Sequence, residues 1–296
     1  MSLVEMRKYK ETIRRTLLFL LPALVLLTFF FIWPIILTVY YSFTNLSLTG
    51  SAAQNTQFIA LENYKKILTD PDVGPAVWKT LIFVIFSAVL GQTVFGFILA
   101  MVMKQKNVIF RRIVGAIIIA CWVTPEIVAG MCLYSFFGDF GTFNYLLSLI
   151  GIGPIYWLFE WPMLSIILAN IWRGVAFSMI VFQAAFDDIP KEVEEAATVD
   201  GATGFQSMVN ITIPILKGTI STNMMLVTLQ TLGVFGLIYT MTGGGPGNKT
   251  TTLPIYMYNQ AFVNFQLGYG TAVSMILLLI GVVLSVFYVK SMKVEI

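Results

Sequence analysis

The sequence predicts an all-α membrane protein with six transmembrane helices. Of its 296 residues, 57% are hydrophobic and only 11% are charged, whereas about a quarter of the residues in a soluble domain carry charge. Six apolar runs have about the 20 residues that a helix needs to cross a bilayer. The predicted spans are 17–41, 80–103, 113–137, 163–186, 219–241 and 270–289.

The positions of Lys and Arg predict the orientation, because cytoplasmic connections carry an excess of both. If the N-terminus is inside, the inside segments hold thirteen Lys and Arg residues and the outside segments hold four. Five of the thirteen precede residue 16. The sequence therefore predicts that both termini are cytoplasmic (N-in/C-in) and that the connection 187–217 faces the cytoplasm.

No internal repeat is visible, and the inside connection 104–112 is short and basic. The outside segment 43–79 predicts a loop with a short helix around 62–68, and 138–162 combines glycines with two tryptophans that suit a membrane interface. "TGGGPGNKTTT" at 242–252 lacks the Gly that a phosphate-binding loop places directly before its Lys, so it predicts a Gly-Pro turn. We interpret residues 1–296 as one transmembrane domain.

Two charges lie inside predicted spans, Glu126 in the third and Arg173 in the fourth. A charge at membrane depth costs several kcal/mol unless it is paired or faces water. Both residues are therefore candidates for a substrate or ion pathway. The alternative is that they pair with each other or with a neighbouring subunit, and "TPE" at 124–126 could form a kinked turn.

The fifth predicted span also carries three polar residues, Asn223, Gln230 and Thr231, which fall within one or two turns along a similar face. Val227 lies between them and Val234 follows them. A polar stripe should face protein or water rather than lipid. Periodicity alone leaves a pathway and interhelical hydrogen bonding equally open.

The sequence predicts no metal site and no catalytic group. It contains no His, and its two cysteines, Cys121 and Cys132, share one predicted span. Eleven residues along a helix cover about 16 Å, which is beyond the ~7 Å that a disulfide allows. A zinc or haem site is therefore not expected.

The connection 187–217, "DDIPKEVEEAATVDGATGFQSMVNITIPILK", is the longest on the cytoplasmic side. Pro190 can start a helix over 191–198, and Gly201 can end it in a backbone conformation that other residues resist. A second short segment, 203–211, leads to Pro214, where we expect the chain to turn toward the next span. The pattern predicts a helix-turn-helix on the cytoplasmic face.

The first of these helices is acidic, with Lys191 as its one basic residue. Helices that rest on lipid favour Lys and Arg on their polar face, so a basic groove in a partner protein fits this helix better than a bilayer surface does. The acidic residues of the segment are Asp187, Asp188, Glu192, Glu194, Glu195 and Asp200.

The spacing E-A-A, three residues, G, nine residues, I-x-L-P resembles the signature of bacterial ABC-importer permeases. Here it consists of Glu195, Ala196, Ala197, Gly201 and 211–214, with Ile in place of Leu at 213. Further stretches resemble the sugar-importer branch, and within it the first permease of the maltose and glycerol-phosphate types. These are "FIALENYKKIL" (58–68), "GTFNYLLSLIG" (141–151), "NIW" (170–172), "TGGGPGN" (242–248) and "LGYGTAVSMIL" (267–277).

The resemblance implies a type I importer permease (MetI-like) fold in the bacterial cell membrane. Its expected partners are a second homologous permease, a dimeric cytoplasmic ATPase and an external solute-binding protein, with lipid around it and no nucleic acid. ATP and Mg²⁺ would bind the ATPase, so the chain is expected to hold no cofactor and not to be an enzyme. The coupling loop, 187–217, would meet the ATPase through Glu195, Ala196, Ala197, Asp200 and Gly201.

The resemblance also implies where a sugar would be held. Matching the motifs without gaps places the substrate pathway at Arg173, Gly174, Phe177, Val227, Gln230, Thr231 and Val234. Phe177 could stack on a sugar face and Gln230 could bond hydroxyls. Arg173 departs from a neutral-sugar site and leaves an anionic sugar open, since guanidinium binds carboxylate and phosphate in bidentate fashion.

Three other functions fit parts of the sequence. An importer of the same kind for a non-sugar solute would share the coupling loop. A secondary transporter would show inverted repeats and intramembrane acids, of which only Glu126 is present in the predicted spans. A membrane scaffold would not need the coupling-loop spacing.

Overall fold

Helices form all the regular secondary structure in the part of the chain that this computed structural model describes, which is Thr16 and residues 18–291 without the side chain of Glu194. The predicted all-α fold is confirmed. The helices are α1 (Leu18–Ser42), α2 (Ser51–Gln54), α3 (Glu62–Thr69), α4 (Val73–Lys104), α5 (Val108–Val123), α6 (Glu126–Phe137), α7 (Thr142–Ser148), α8 (Pro162–Asp187), α9 (Lys191–Val199), α10 (204–232), α11 (Gly236–Met241), α12 (253–263) and α13 (Leu267–Ser291).

Among the described residues, four helices are long and apolar enough to cross a membrane, by length and composition: α1, α4, α8 and α13. A fifth candidate is a bent pair, Val108–Val123 with Glu126–Ser148, whose halves meet at 103°. The third predicted span, 113–137, is therefore not one straight helix. The break falls at Thr124 because Pro125 has no N–H to donate and disfavours helical backbone in the residue before it.

The fifth predicted span, 219–241, is also interrupted. Helix α10 ends at Leu232, and α11 begins at Gly236. At its other end α10 already starts at Gly204, so the predicted turn at Pro214 is wrong. The helix passes Pro214 by widening to π-helical geometry over Met208–Thr212, where the Ile213 amide donates to the Met208 carbonyl.

Some predictions fall on residues that the structure does not describe. These are residue 17, which begins the first predicted span, the five basic residues before residue 16, and Lys293.

Two predictions about the connections can be compared with the structure. The short helix predicted around 62–68 is confirmed as α3, and "TGGGPGNKTTT" forms a turn in which three of its glycines have positive φ.

The chain divides into two compact units. One comprises residues 1–69 and 259–275. Within it, the buried amide of Asn63 on α3 donates to the carbonyls of Ser42 and Thr44 at 2.9 and 2.8 Å, which fixes α3 against the end of α1. This pairing satisfies carbonyls that the end of a helix otherwise leaves without partners.

The second unit comprises residues 70–258 and 276–296 and contains the predicted sites. Helix α4 packs along α8, and a Cβ on Gly96 would lie 2.4 Å from the Ser178 Cβ, so the two backbones approach closely. Small residues commonly allow such contacts between membrane helices. One core of this unit joins α6, α8 and α11, through Ala129, Leu133, Phe137, Ile166, Ala169, Leu237, Ile238 and Met241.

Candidate functional site

The helix α9 ends as its sequence predicts. Gly201 has φ of +75°, its amide donates to the Thr198 carbonyl, and the amide of Ala202 donates to the Ala197 carbonyl. This pair of bonds is a Schellman motif, which needs a left-handed residue that glycine supplies at little cost. The backbone of the turn is thus fixed by its own hydrogen bonds.

A second cap follows within two residues. The Thr203 hydroxyl accepts the amide of Gln206 at 3.3 Å, and the Gln206 side-chain oxygen accepts the amide of Thr203 at 2.8 Å. This reciprocal capping box starts α10. With one helix capped at its end and the next at its start, the turn between α9 and α10 has few free backbone groups.

The predicted coupling residues occupy different faces of this turn. Ala197 is buried, whereas Glu195, Ala196, Asp200 and Gly201 are exposed. Of the two alanines, Ala197 packs against this chain's own residues, and Ala196 is the one that is open to a partner. Contact of the exposed residues with an ATPase stays a prediction.

The first residue of the coupling loop, Asp187, forms an ion pair with a residue near the start of α5. The Arg111 guanidinium lies 3.0 Å from the Asp187 carboxylate, which joins the start of α5 to the end of α8. Both side chains are substantially exposed, at 32% and 53%, so this pair stabilises the fold by only about 0–1 kcal/mol.

A second ion pair joins the break in the third predicted span to the charged residue of the fourth predicted span. The Arg173 guanidinium on α8 lies 3.4 Å from the carboxylate of Glu126, the first residue of α6. The Arg173 Nε also donates to the Thr124 carbonyl at 3.4 Å, in the break between α5 and α6. The alternative in which the two charges pair with each other is thus realised.

The same carboxylate reaches a third element. Its second oxygen accepts the amide of Gly236, the first residue of α11, at 3.1 Å. A Cβ on Gly236 would lie 3.2 Å from the Glu126 side chain, so glycine suits this close approach. Glu126 therefore joins α8 to the beginnings of α6 and α11, and a carboxylate at the start of a helix satisfies an amide that has no partner within that helix.

Three predicted pathway residues follow one another along α8. Arg173 pairs with Glu126. Gly174 lies against Gln92 of α4, and a Cβ at position 174 would lie 2.3 Å from the Gln92 side chain. The Phe177 ring lies 5.8 Å from the ring of Trp122 and is half-buried. Phe177 thus keeps part of its face free of this chain's own packing.

The predicted residues on and after α10 separate into two groups. Val227, Thr231 and Val234 are buried, while Gln230 is exposed. Asn223, Val227 and Thr231 are spaced by four and therefore share the buried face, so the expectation that Gln230 and Thr231 share a face is wrong. Whether any of these residues lines a substrate pathway stays a prediction.

The buried face of α10 belongs to a polar network that sequence reasoning missed in part. The side-chain amide of Asn170 on α8 donates to the Ser87 hydroxyl at 2.8 Å and to the Thr231 hydroxyl at 3.5 Å. The backbone carbonyl of Asn170 accepts from the side-chain amide of Gln92 at 3.0 Å. A similar link joins Asn223 to Ser178 at 3.0 Å. Amides within an apolar run are the signal that could have found Gln92 and Asn170, since membrane helices commonly hydrogen-bond through them.

Comparison with known proteins identifies the family. The family model described as "Binding-protein-dependent transport system inner membrane component" matches residues 92–291, which include the coupling loop and both interrupted spans. The chain belongs to this family. It is therefore a membrane permease, and the permease subunits of ABC transporters are not themselves enzymes.

Curated relatives of this permease cover almost all of it. It is 31% identical over 281 residues to the sulfoquinovosyl glycerol transport system permease protein SmoG of Agrobacterium fabrum, covering 94% of this chain and 90% of that protein. It is 33% identical over 284 residues to the multiple sugar-binding transport system permease protein MsmF of Streptococcus mutans, covering 93% and 94%.

Two solved structures share the permease's fold. The crystal structure of a bacterial ABC transporter involved in the import of the acidic polysaccharide alginate matches with a TM-score of 0.81 and 23% identity, over 97% of this chain and 98% of that one. The alginate transporter in complex with its alginate pentasaccharide-bound periplasmic protein matches with a TM-score of 0.80 and 24% identity, over 95% and 96%. The predicted MetI-like importer fold is confirmed.

The cysteines and acidic residues in the described part of the permease form no cluster that could hold a metal ion. Both Cys121 and Cys132 are free thiols, and within residues 18–291 no three His, Cys, Asp or Glu side chains come close enough together to hold an ion.

Proposed function

We propose that this permease passes a sugar or an oligosaccharide across the bacterial inner membrane in an ATP-driven importer. The observation that carries the proposal is the turn between α9 and α10, which is capped on both sides and presents Glu195 and Asp200 to solvent. A loop that transmits movement from an ATPase must be rigid, and its exposed carboxylates would meet basic residues of that subunit.

The proposed assembly contains a second homologous permease, two ATPase subunits that bind ATP and Mg²⁺, and an external protein that delivers the sugar. This chain itself holds no cofactor and forms one domain that crosses the membrane several times with both termini inside. Family membership supports this assembly, and the alginate transporter was crystallised with a periplasmic protein.

A sugar is the proposed substrate because relatives that align over nearly the whole chain are named for sugar transport. The ion pair between Arg173 and Glu126 bears on the charge of that sugar. The paired charges cancel, so in this arrangement the site suits a neutral sugar. An acidic sugar would need Arg173 to exchange Glu126 for the substrate's own carboxylate, sulfonate or phosphate.

The decisive experiment reconstitutes the complex with its binding protein and measures ATP hydrolysis with neutral and acidic oligosaccharides. Stimulation by a sugar supports the proposal, and the charge of that sugar decides the role of Arg173. Stimulation by an amino acid or inorganic phosphate but by no sugar would replace a sugar with a non-sugar solute. Solute transport that continues without ATP would contradict the importer.

A further inference from the structure

Three aromatic rings cluster where α11 begins. The Phe235 and Tyr239 rings stack with centroids 5.1 Å apart, and the Tyr258 ring lies 4.8 Å from the first and 5.2 Å from the second. The side chains of the two tyrosines also hydrogen-bond, which raises the pKa of the Tyr258 phenol above its usual value. We call these three residues the aromatic cluster.

Within the aromatic cluster, Tyr239 lies on the side of α11 that faces away from the core, whereas Phe235 packs partly against that core. Leu237, Ile238 and Met241 are almost completely buried against α6 and α8, whereas Tyr239 is 44% exposed. Phe235 is the residue that precedes α11, and its carbonyl accepts the Tyr239 amide at 2.8 Å, so the two rings stack over the first turn of the helix. Tyr239 thus offers ring surface and a phenol group beyond this chain's own packing.

The neighbourhood of the aromatic cluster is polar. Phe235 directly precedes Gly236, whose amide is bound by Glu126, and Glu126 pairs with Arg173. Charged residues at membrane depth face protein or a water-filled cavity rather than lipid. The surface beside this ion pair is therefore suited to a polar ligand.

We infer that the aromatic cluster is a sugar-stacking subsite of the substrate pathway, an inference that rests on the proposed function. A pyranose ring has an apolar C–H face that can pack on the Tyr239 ring, while a sugar hydroxyl exchanges a hydrogen bond with the Tyr239 phenol, because tyrosine combines an apolar face with a polar tip. The cluster adds residues beyond those that resemblance to the family indicates. It takes a neutral part of the sugar, beside the charged pair.

The test uses the assembled importer with its binding protein, trapped with ATP and vanadate in the presence of radiolabelled oligosaccharide. We expect Tyr239→Leu to retain about tenfold less labelled sugar, which corresponds to ~1.4 kcal/mol, whereas Tyr239→Phe keeps the ring and most of the retention. The matched control is Tyr145→Leu, at an exposed tyrosine on α7 outside the cluster, which should retain sugar as the unaltered complex does.

The outcomes separate the subsite from the function. If the unaltered complex responds to no sugar, both the proposed function and the subsite are overturned. If it retains sugar and Tyr239→Leu retains equally much, the subsite alone is overturned.

A labelling experiment covers the case in which Tyr239→Leu fails to assemble. Tyr239→Cys is placed in a background carrying Cys121→Ser and Cys132→Ser, and its thiol is labelled with and without sugar in the trapped complex. Sugar should slow the labelling severalfold, and equal rates would reject the subsite.

Discussion

The guanidinium of Arg173 and the carboxylate of Glu126 lie 3.4 Å apart, and that carboxylate also accepts the amide of Gly236. The pair therefore does more than neutralise two charges. It holds a long, unbroken helix, α8, to the points where two other helices begin after a break. Because both breaks lie at this junction, one carboxylate holds the first residues of α6 and α11 beside α8, in addition to the apolar core that the three helices share.

We expect Glu126→Ala to lower the free energy of unfolding of the purified permease by about 2 kcal/mol. This is less than the ~3–5 kcal/mol of a fully buried pair, because the two side chains retain 21% and 31% of their exposure. Thermal unfolding in detergent measures the change. Asp187→Asn, which breaks the exposed pair with Arg111, is the control and should cost about 0–1 kcal/mol.

A double-mutant cycle checks that the loss comes from the pair itself. If Arg173 and Glu126 interact, the loss of unfolding free energy in the double variant, Arg173→Gln with Glu126→Gln, should be smaller than the sum of the losses in the two single variants. We expect the difference to be about 1 kcal/mol or more. Strict additivity would show that the two residues act independently.

The packing of α4 on α8 depends on a glycine. A Cβ at Gly96 would lie 2.4 Å from the Ser178 Cβ and 3.0 Å from the Met179 nitrogen, so Gly96→Ala must separate two backbones. We expect it to cost about 1–3 kcal/mol by overpacking, measured as a lower melting temperature. Gly218→Ala is the matched control on α10, where a Cβ meets nothing within 4 Å; it should be neutral or stabilising by up to ~1 kcal/mol.

The turn between α9 and α10, which we call the coupling turn after its predicted role, could be predicted in its structure because its signals are local. Pro190 precedes α9, and Gly201 directly follows its last turn and takes the left-handed conformation. The turn expected at Pro214 is absent because the helix widens to π-helical geometry over Met208–Thr212 and continues past the proline. No local sequence signal reveals this widening.

The candidate site could be predicted only in part. Glu126 and Arg173 were identifiable because charges are rare in membrane spans, but their pairing depends on residues 47 positions apart in sequence. The interruption after Leu232 has no proline to mark it, and the amide that restarts the helix bonds to Glu126, 110 residues away. Helical periodicity would have separated Gln230 from Thr231, because adjacent residues are about 100° apart around the helix axis.

Glu195 is the residue on which we expect coupling to the ATPase to depend most. Glu195→Lys reverses an exposed charge on α9 and should abolish sugar-stimulated ATP hydrolysis and uptake while the protein still reaches the membrane, since like charges across an interface repel. Uptake into proteoliposomes and immunodetection in membranes measure the two effects. Glu160→Lys, a reversal at another exposed acid, is the control, and normal uptake by Glu195→Lys would contradict the role.

Gly201 tests whether the shape of the coupling turn matters apart from its charge. Gly201→Ala introduces no clash, because nothing lies within 4 Å of its Cβ, but φ of +75° is unfavourable for alanine. The cost of about 1 kcal/mol shifts the turn away from its capped geometry roughly fivefold, so we expect fewer sugars transported per ATP hydrolysed. Gly204→Ala is matched to it, with equally open space and no positive φ. Equal transport ratios for the two variants would show that the rigid turn does not transmit the movement, whereas a loss confined to Gly201→Ala ties coupling to the backbone conformation of one residue.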